Sequence, residues 1–143
     1  MAELLASIAV KQTAVNGGKL STTELGGRVR IAHGFIVPAA AGAAGDTVKL
    51  VRLPKGARIL PQSQLHFEAG QSSALKVQVG DAADDDRYLA ATTVGTAAAS
   101  IDLAANAVRD TVTGAETDIV LKTSGAGLAS GKVVAYDIFY VVD

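Results

Sequence analysis

From Val29 onward the chain consists of short apolar runs separated by turn-forming residues, and this spacing constrains the fold most strongly. The runs span four to eleven residues and are rich in Val, Ile and Leu. Such lengths suit strands, whereas helices of globular domains usually need about ten residues or more. Eight or nine strands with few helical patterns predict an all-β domain, a β-sandwich or jelly roll. The predicted strands are 29–37, 47–53, 57–60, 64–69, 74–79, 88–91, 100–103, 118–123 and 132–142.

Three runs give more specific predictions. Lys132–Val142 alternates two residue sets that are both largely apolar, so this strand should be central or have its second face covered by another chain. The alternation of apolar and polar residues in the run 47–53 shifts by one position between Leu50 and Val51, which indicates a bulge or a twist in the strand. One short helix is predicted at Leu103–Arg109.

Residues 1–27 differ from the rest of the chain and are predicted to form an extended N-terminal arm. Gly-rich and polar stretches typical of loops interrupt them, and a helix confined to the first ten residues would be marginal because it falls below about 12 residues. Residues 28–143 then form a single β-sandwich domain. The apolar residues of the arm, which we expect to cover another surface, are Leu4, Leu5, Ile8 and Val10.

Composition disfavours several classes of protein. The chain has no Cys, so disulfides, thiolate metal sites and cysteine nucleophiles are impossible. No stretch approaches the roughly 20 apolar residues needed to span a bilayer. The first ten residues carry Glu3 but none of the basic residues of a secretory signal. We therefore expect synthesis in the cytoplasm and no membrane partner.

Charge is distributed unevenly along the chain. Residues 1–60 hold eight basic and three acidic residues, a net charge of +5, whereas the remainder holds five basic and eleven acidic residues, a net charge of −6. The two parts could interleave on one folded surface, or the basic part could meet an acidic protein surface or a nucleic acid. No basic residues cluster with aromatics as a stacking platform requires, so we expect no nucleic-acid partner.

The glycine-rich segment Gly125–Lys132 superficially resembles a phosphate-binding loop. That motif needs Gly five residues before the Gly-Lys pair, a hydroxyl residue after it and then a helix. Ala126 and Val133 occupy the first two of these positions, and a strand is predicted next. We therefore interpret the segment as a hairpin turn leading into the last strand.

The remaining chemical candidates are an acidic loop and two histidines. Asp81–Asp86 is interpreted as a solvated turn, with adventitious calcium or magnesium as the alternative, because three consecutive carboxylates cannot easily face one ion. His33 and His66 lie in predicted strands, and neither Cys nor a third His completes a zinc site. A Ser-His-Asp arrangement is compatible with the composition, but no Ser stands in a Gly-x-Ser-x-Gly elbow. We expect structural histidines, no cofactor, no metal and no enzymatic activity.

Two segments carry a resemblance to a known family. They are Leu53-Pro54-Lys55-Gly56-Ala57-Arg58 and Asp84-Asp85-Asp86-Arg87-Tyr88-Leu89. With the order of the other strands, from about Lys19 to the end, they make the chain similar to the capsid cement (decoration, head-stabilising) proteins of tailed double-stranded DNA bacteriophages. The shared segments are turns and strands, so they point to fold and role rather than to chemistry.

The resemblance implies a jelly-roll-like β-sandwich on the outer capsid surface of a virion. Copies would associate as dimers or trimers and would clamp neighbouring subunits of the major capsid protein, which stabilises the expanded, DNA-filled head. The residues that we expect to contact the capsid protein are Lys11, Lys19, Arg28 and Arg30. The alternatives are another virion β-module of the tail, neck or fibre, and a carbohydrate-binding sandwich, which the scarcity of aromatic residues disfavours.

Overall fold

The computed structural model describes residues 28–103 and 112–142, and every regular element in these ranges is a β-strand. The predicted all-β class and jelly-roll-like sandwich are confirmed, and each predicted run overlaps one strand. The predicted arm (1–27) and the predicted helix beyond Leu103 lie outside the described residues. No helix in the described ranges is long and apolar enough to cross a membrane. The strands are β1 (Arg30–Ile36), β2 (Thr47–Leu53), β3 (Ala57–Ile59), β4 (Gln64–Phe67), β5 (Lys76–Gly80), β6 (Leu89–Thr93), β7 (Ala99–Asp102), β8 (Thr117–Ser124) and β9 (Val134–Val142).

Two antiparallel sheets share these strands. The first sheet has the order β1-β9-β4-β7, with β3 also pairing with β9, and the second sheet has the order β2-β8-β5-β6. The last strand therefore lies in the middle of the first sheet, as its two apolar faces predict. Strand β1 is an edge strand, and its register with β9 is unbroken from Arg30–Tyr140 to Ile36–Val134.

The hydrophobic core lies between the sheets and is built from side chains of alternating strand positions. In β5, Val77 and Val79 are fully buried while Lys76 is exposed, which confirms the alternation in the sequence. In β9 the even-numbered residues pack in the core, whereas the odd-numbered Ala135, Asp137 and Phe139 lie on the other face and Val141, near the end of the strand, is also buried. The largest fully buried side chains are Tyr88, Leu53, Ile59, Leu65, Leu75, Leu103, Ile119, Leu121 and Ile138.

A side-chain hydrogen bond joins the two sheets at the predicted bulge. The register of β2 with β8 shifts between Lys49 and Val51, so Leu50 is the extra residue of the ladder. The Tyr136 hydroxyl, from the first sheet, donates to the Leu50 carbonyl at 2.6 Å. The extra residue of a bulge has no partner residue in the ladder. The Tyr136 hydroxyl therefore supplies the hydrogen-bond donor for the Leu50 carbonyl.

Gly34 makes room for the Tyr136 ring. A Cβ atom at this position would lie 2.6 Å from the tyrosine oxygen and 2.9 Å from its Cζ atom. Both distances are below the van der Waals contact distance, so any larger residue would push the ring away from Leu50. The residue at this position on the inner face of β1 must be small because the Tyr136 ring occupies the space that a side chain would fill.

The predicted hairpin at Gly125–Lys132 is wrong. Strand β8 belongs to the second sheet and β9 to the first, so residues 125–133 cross from one sheet to the other. This connection packs on the loop after β1, where the Gly42 amide donates to the Leu128 carbonyl at 2.9 Å. The glycines serve this close contact between two loops, for which local sequence gives no signal.

We expect Tyr136→Phe to lower the free energy of unfolding by about 1 kcal/mol, because the Leu50 carbonyl loses its partner. Gly34→Ala should cost more, about 1–3 kcal/mol, because the added methyl group displaces the ring. Urea denaturation measures both values. Tyr140→Phe is the matched control, since Tyr140 is on the same face of β9 and no described residue accepts a hydrogen bond from its hydroxyl. An equal loss in the control would contradict the assigned bond.

Candidate interaction surface

The outer face of the second sheet is charged and its charges are paired. Asp118 lies between two cations, with Arg52 Nε at 2.7 Å and Lys49 Nζ at 2.8 Å. Lys122 on the same strand reaches Asp85 of the acidic loop at 2.7 Å. Hydrogen bonds from Arg52 and Lys49 hold the pKa of the Asp118 carboxyl well below its usual range. This face is therefore a solvated surface with compensated charge.

The acidic loop between β5 and β6 is ordered by its own first residue. Asp81 accepts hydrogen bonds from the amides of Ala83 and Asp84, both at 3.0 Å, and its other oxygen lies 2.8 Å from Arg87 Nε. This pattern is an Asx-type turn, which agrees with the predicted turn. The Arg87 guanidinium closes it through its bond to Asp81.

We expected that three consecutive carboxylates of this loop could not easily face one ion, and their side chains are in fact close together. Carboxylate oxygens of Asp84, Asp85 and Asp86 lie within 4.8 Å of one another. A hydrogen bond with Asp84 is the largest cause that raises the pKa of Asp86 above its usual value. Lys122 offsets part of the remaining charge through Asp85.

The outer face of the first sheet is apolar along its β1 edge. Four bulky residues face outward from β1 and its ends, and we call them the β1 stripe: Val29 (52% exposed), Ile31 (49%), Phe35 (72%) and Val37 (46%). On the neighbouring strand, Ile31 is paired with Phe139 and Phe35 with Ala135, and the exposed Val133 precedes β9. These large apolar side chains lie on both sides of the exposed His33, and soluble monomers rarely expose large apolar patches, so the surface is suited to binding.

The stripe arises from the unusual distribution of residue sizes in β1. The positions that face the core are Ala32, Gly34 and Ile36, of which the first two are small because Tyr136 fills the space beneath. The bulky residues therefore occupy the opposite parity and face outward. Sequence reasoning did not single out Phe35. Local sequence gives no signal for it, because bulk on one parity and an Ala-x-Gly pair on the other ordinarily indicate that the bulky side faces the core.

The other half of the same face is polar. His66 on β4 bridges two strands, with Nδ1 3.0 Å from Ser100 Oγ on β7 and Nε2 3.1 Å from Asp137 Oδ2 on β9. His33 is paired with Asp137 in the ladder of β1 and β9. The structure thus assembles the Ser-His-Asp combination that composition allowed. All three residues lie on strands, and Ser100 pairs with His66 in the ladder rather than standing on a strained elbow, so we interpret the row as a cross-strand tie.

The predicted contact residues fall at one end of the β1 stripe, as far as the structure describes them. Arg28 and Arg30 are exposed, and within residues 28–103 and 112–142 no ion pair involves either. Lys11 and Lys19 lie outside the described residues. The first sheet therefore presents an apolar stripe that begins beside two exposed arginines.

We expect Asp118→Asn to lower the melting temperature at pH 7, because the paired carboxylate is replaced by a neutral amide. The pKa of Asp118 is depressed in the folded state, so its contribution is present above its unfolded value of about 3.9 and is lost as the pH falls below that value. The difference from the wild type should therefore shrink below about pH 4. Scanning calorimetry over pH 3–7 measures it. Asp102→Asn, which removes an exposed carboxylate without a described ion pair and keeps an oxygen for the Gln64 amide, should show no such trend.

Comparison with known proteins shows what the fold is similar to. No protein family and no curated protein matches the chain. A chain of the capsid of Ralstonia phage GP4 is 24% identical, with a TM-score of 0.66 over 82% of this chain and 86% of that chain. A chain of the cyanophage Pam1 capsid asymmetric unit is 20% identical, with a TM-score of 0.64 over 92% and 95%. A chain of the acidic stable capsid of Helicobacter pylori bacteriophage KHP30 is 14% identical, with a TM-score of 0.54 over 80% and 87%. The protein thus shares its fold with chains found in three phage capsids.

Proposed function

We propose that this protein is a non-enzymatic capsid cement protein of a tailed bacteriophage. It binds the outer surface of the expanded shell and clamps neighbouring subunits of the major capsid protein. The observation that carries the proposal is the β1 stripe on the outer face of the first sheet, in a fold that phage capsid chains share. The charged, self-compensated second sheet is the face suited to solvent.

The contrast between the two faces gives the proposed orientation. Covering the β1 stripe removes apolar area from water, which is worth about 25 cal/mol for each Å² buried. Covering the second sheet would instead desolvate several ion pairs, and that cost offsets much of their attraction. The domain is therefore expected to bind the shell through the first sheet, with Asp118 and its cations facing outward.

The predicted basic contacts fit this orientation. Arg28 and Arg30 flank Val29 at the start of the stripe; strand alternation directs Arg30 toward the opposite side of β1, but β1 is an edge strand and Arg30 is exposed there, and Lys11 and Lys19 precede them in the sequence. Cations at the rim of an apolar patch favour a partner with carboxylates around an apolar centre. A shell offers many copies of such a partner, so contacts that are weak one at a time become strong when one clamp engages several subunits.

Phe35→Ser should weaken binding to stripped, expanded capsids of the same phage, because the most exposed residue of the stripe is lost. We expect a loss on the order of tenfold or more, as for an aromatic residue at an interface centre. Co-sedimentation titrations measure the affinity. Val112→Ser is the matched control, since Val112 is 40% exposed but lies outside the stripe. Unchanged binding of Phe35→Ser would exclude the stripe as the docking surface.

Charge reversal tests the basic contacts. Arg28→Glu combined with Arg30→Glu should weaken capsid binding, and the difference from the wild type should diminish as salt is raised. Lys55→Glu combined with Lys76→Glu changes the net charge equally at exposed positions away from the stripe, and should leave binding near the wild-type level. Equal effects of the two pairs would show that only net charge matters. Wild-type protein that stays in the supernatant and assembles into rods or rings would instead support the tail or neck alternative.

A further inference from the structure

The free edge of β1 lacks the protection that the other sheet edges have. Proteins protect exposed edge strands with charges, prolines, bulges or short length, because an unprotected edge pairs with another strand. Edge strand β2 carries Lys49 and a bulge, β6 pairs through an irregular register, and β7 has only four residues. In contrast, β1 has seven residues, no proline and an unbroken register with β9, and its one Lys or Arg residue is Arg30 at the first position of the strand. Among the described strands, only β9 pairs with it.

The residue pattern of β1 is complementary to itself. If a second β1 pairs in antiparallel orientation about a two-fold axis at His33, each outward residue meets a bulky partner. Ile31 lies opposite Phe35 of the other copy, and Val29 lies opposite Val37. On the inner side, Ala32 lies opposite Gly34. In the nearest registers that also obey two-fold symmetry, centred on Ala32 or Gly34, His33 displaces one of these apolar partners. The side-chain pattern therefore selects one register.

Two charged residues are also placed near each other in this register: Arg30 at the start of β1, and Asp46 in the loop that joins β1 to β2. Arg30 lies opposite Ile36 of the other copy, and both positions are on the inner side of the strand. Ile36 lines a slot of about 450 Å³ between the end of β1 and the start of β2, and Asp46 lines the same slot. One Asp46 oxygen accepts from the Ala43 amide at 2.8 Å, and no side chain of the described residues bonds the second. In this register the exposed Arg30 of one copy lies beside the slot that Asp46 of the other copy lines.

We propose that two copies of this chain associate through antiparallel pairing of their β1 strands, with His33 on the two-fold axis. The pairing joins the two first sheets edge to edge. It brings the two β1 stripes together as one apolar band on the outer face and covers the unprotected edges. The inference goes beyond the proposed function and does not depend on it, because the association is expected in solution without a capsid.

Single cysteines test both the pairing and its register, since the natural chain has none. Residues directly opposite in an antiparallel pair have Cα atoms about 4.5–5.5 Å apart, which is within disulfide range. His33→Cys should therefore form a covalent dimer under mild oxidation. A mixture of Ile31→Cys and Phe35→Cys should cross-link far better than either variant alone. Thr93→Cys, on the exposed edge strand β6, is the control and should stay largely monomeric.

Charge substitution tests the proposed contact between Arg30 and Asp46. Arg30→Glu should weaken dimerisation in analytical ultracentrifugation, on the order of tenfold, because it faces a carboxylate. Adding Asp46→Asn, which keeps an oxygen for the Ala43 amide, should restore much of the loss. The proposal is overturned if His33→Cys cross-links no faster than Thr93→Cys, or if the mixed variants show no advantage. Such a result would leave the capsid-binding measurements unaffected, so the two proposals fail separately.

Discussion

Tyr136 donates its hydroxyl hydrogen to the carbonyl of Leu50, and this bond fixes the distance between the two sheets at the bulge of β2. The ring can reach that carbonyl only because Gly34 has no side chain. The same requirement keeps the inner side of β1 small and leaves its bulk on the outer side. The contact that joins the sheets and the apolar stripe that faces outward are therefore two consequences of one strand's composition.

The two outer faces differ in chemistry, so the domain has one charged side and one side with exposed apolar residues. On the second sheet, cations surround Asp118 and Lys122 neutralises part of the acidic loop, so this face is stable in water as it stands. On the first sheet, the exposed Phe35 and its neighbours have no such compensation. A domain with one self-sufficient face and one apolar face is suited to lie on a larger surface. Edge pairing through β1 would double the apolar area that each assembly offers to that surface.

Most of the fold could be predicted from local sequence, because strand length, alternation and parity are local properties. The bulge at Leu50 and the central position of β9 follow from parity and from two apolar faces. The connection after β8 could not be predicted, since a glycine-rich turn looks the same whether the next strand lies in the same sheet or the opposite one. The close contact of Gly42 with Leu128 is set by tertiary packing alone.

The candidate surface was harder to predict than the fold. Bulky residues on one side of a strand ordinarily indicate the core side, so Ile31 and Phe35 would be assigned inward. Only the space taken by Tyr136, on a strand about a hundred residues later, reverses that assignment. His66 illustrates the same limit, because its partners Ser100 and Asp137 come from two other strands. The basic residues Arg28 and Arg30 could be named from charge distribution, but not their position beside the stripe.

The central claim is that the outer face of the first sheet is the binding face. A cryo-electron microscopy reconstruction of expanded capsids incubated with the purified protein tests it most directly. The account predicts ordered density at one class of symmetry site, with Phe35 against the shell and Asp118 facing solvent. Density in which the charged second sheet contacts the shell, or a shell without added density at saturating protein, would contradict it.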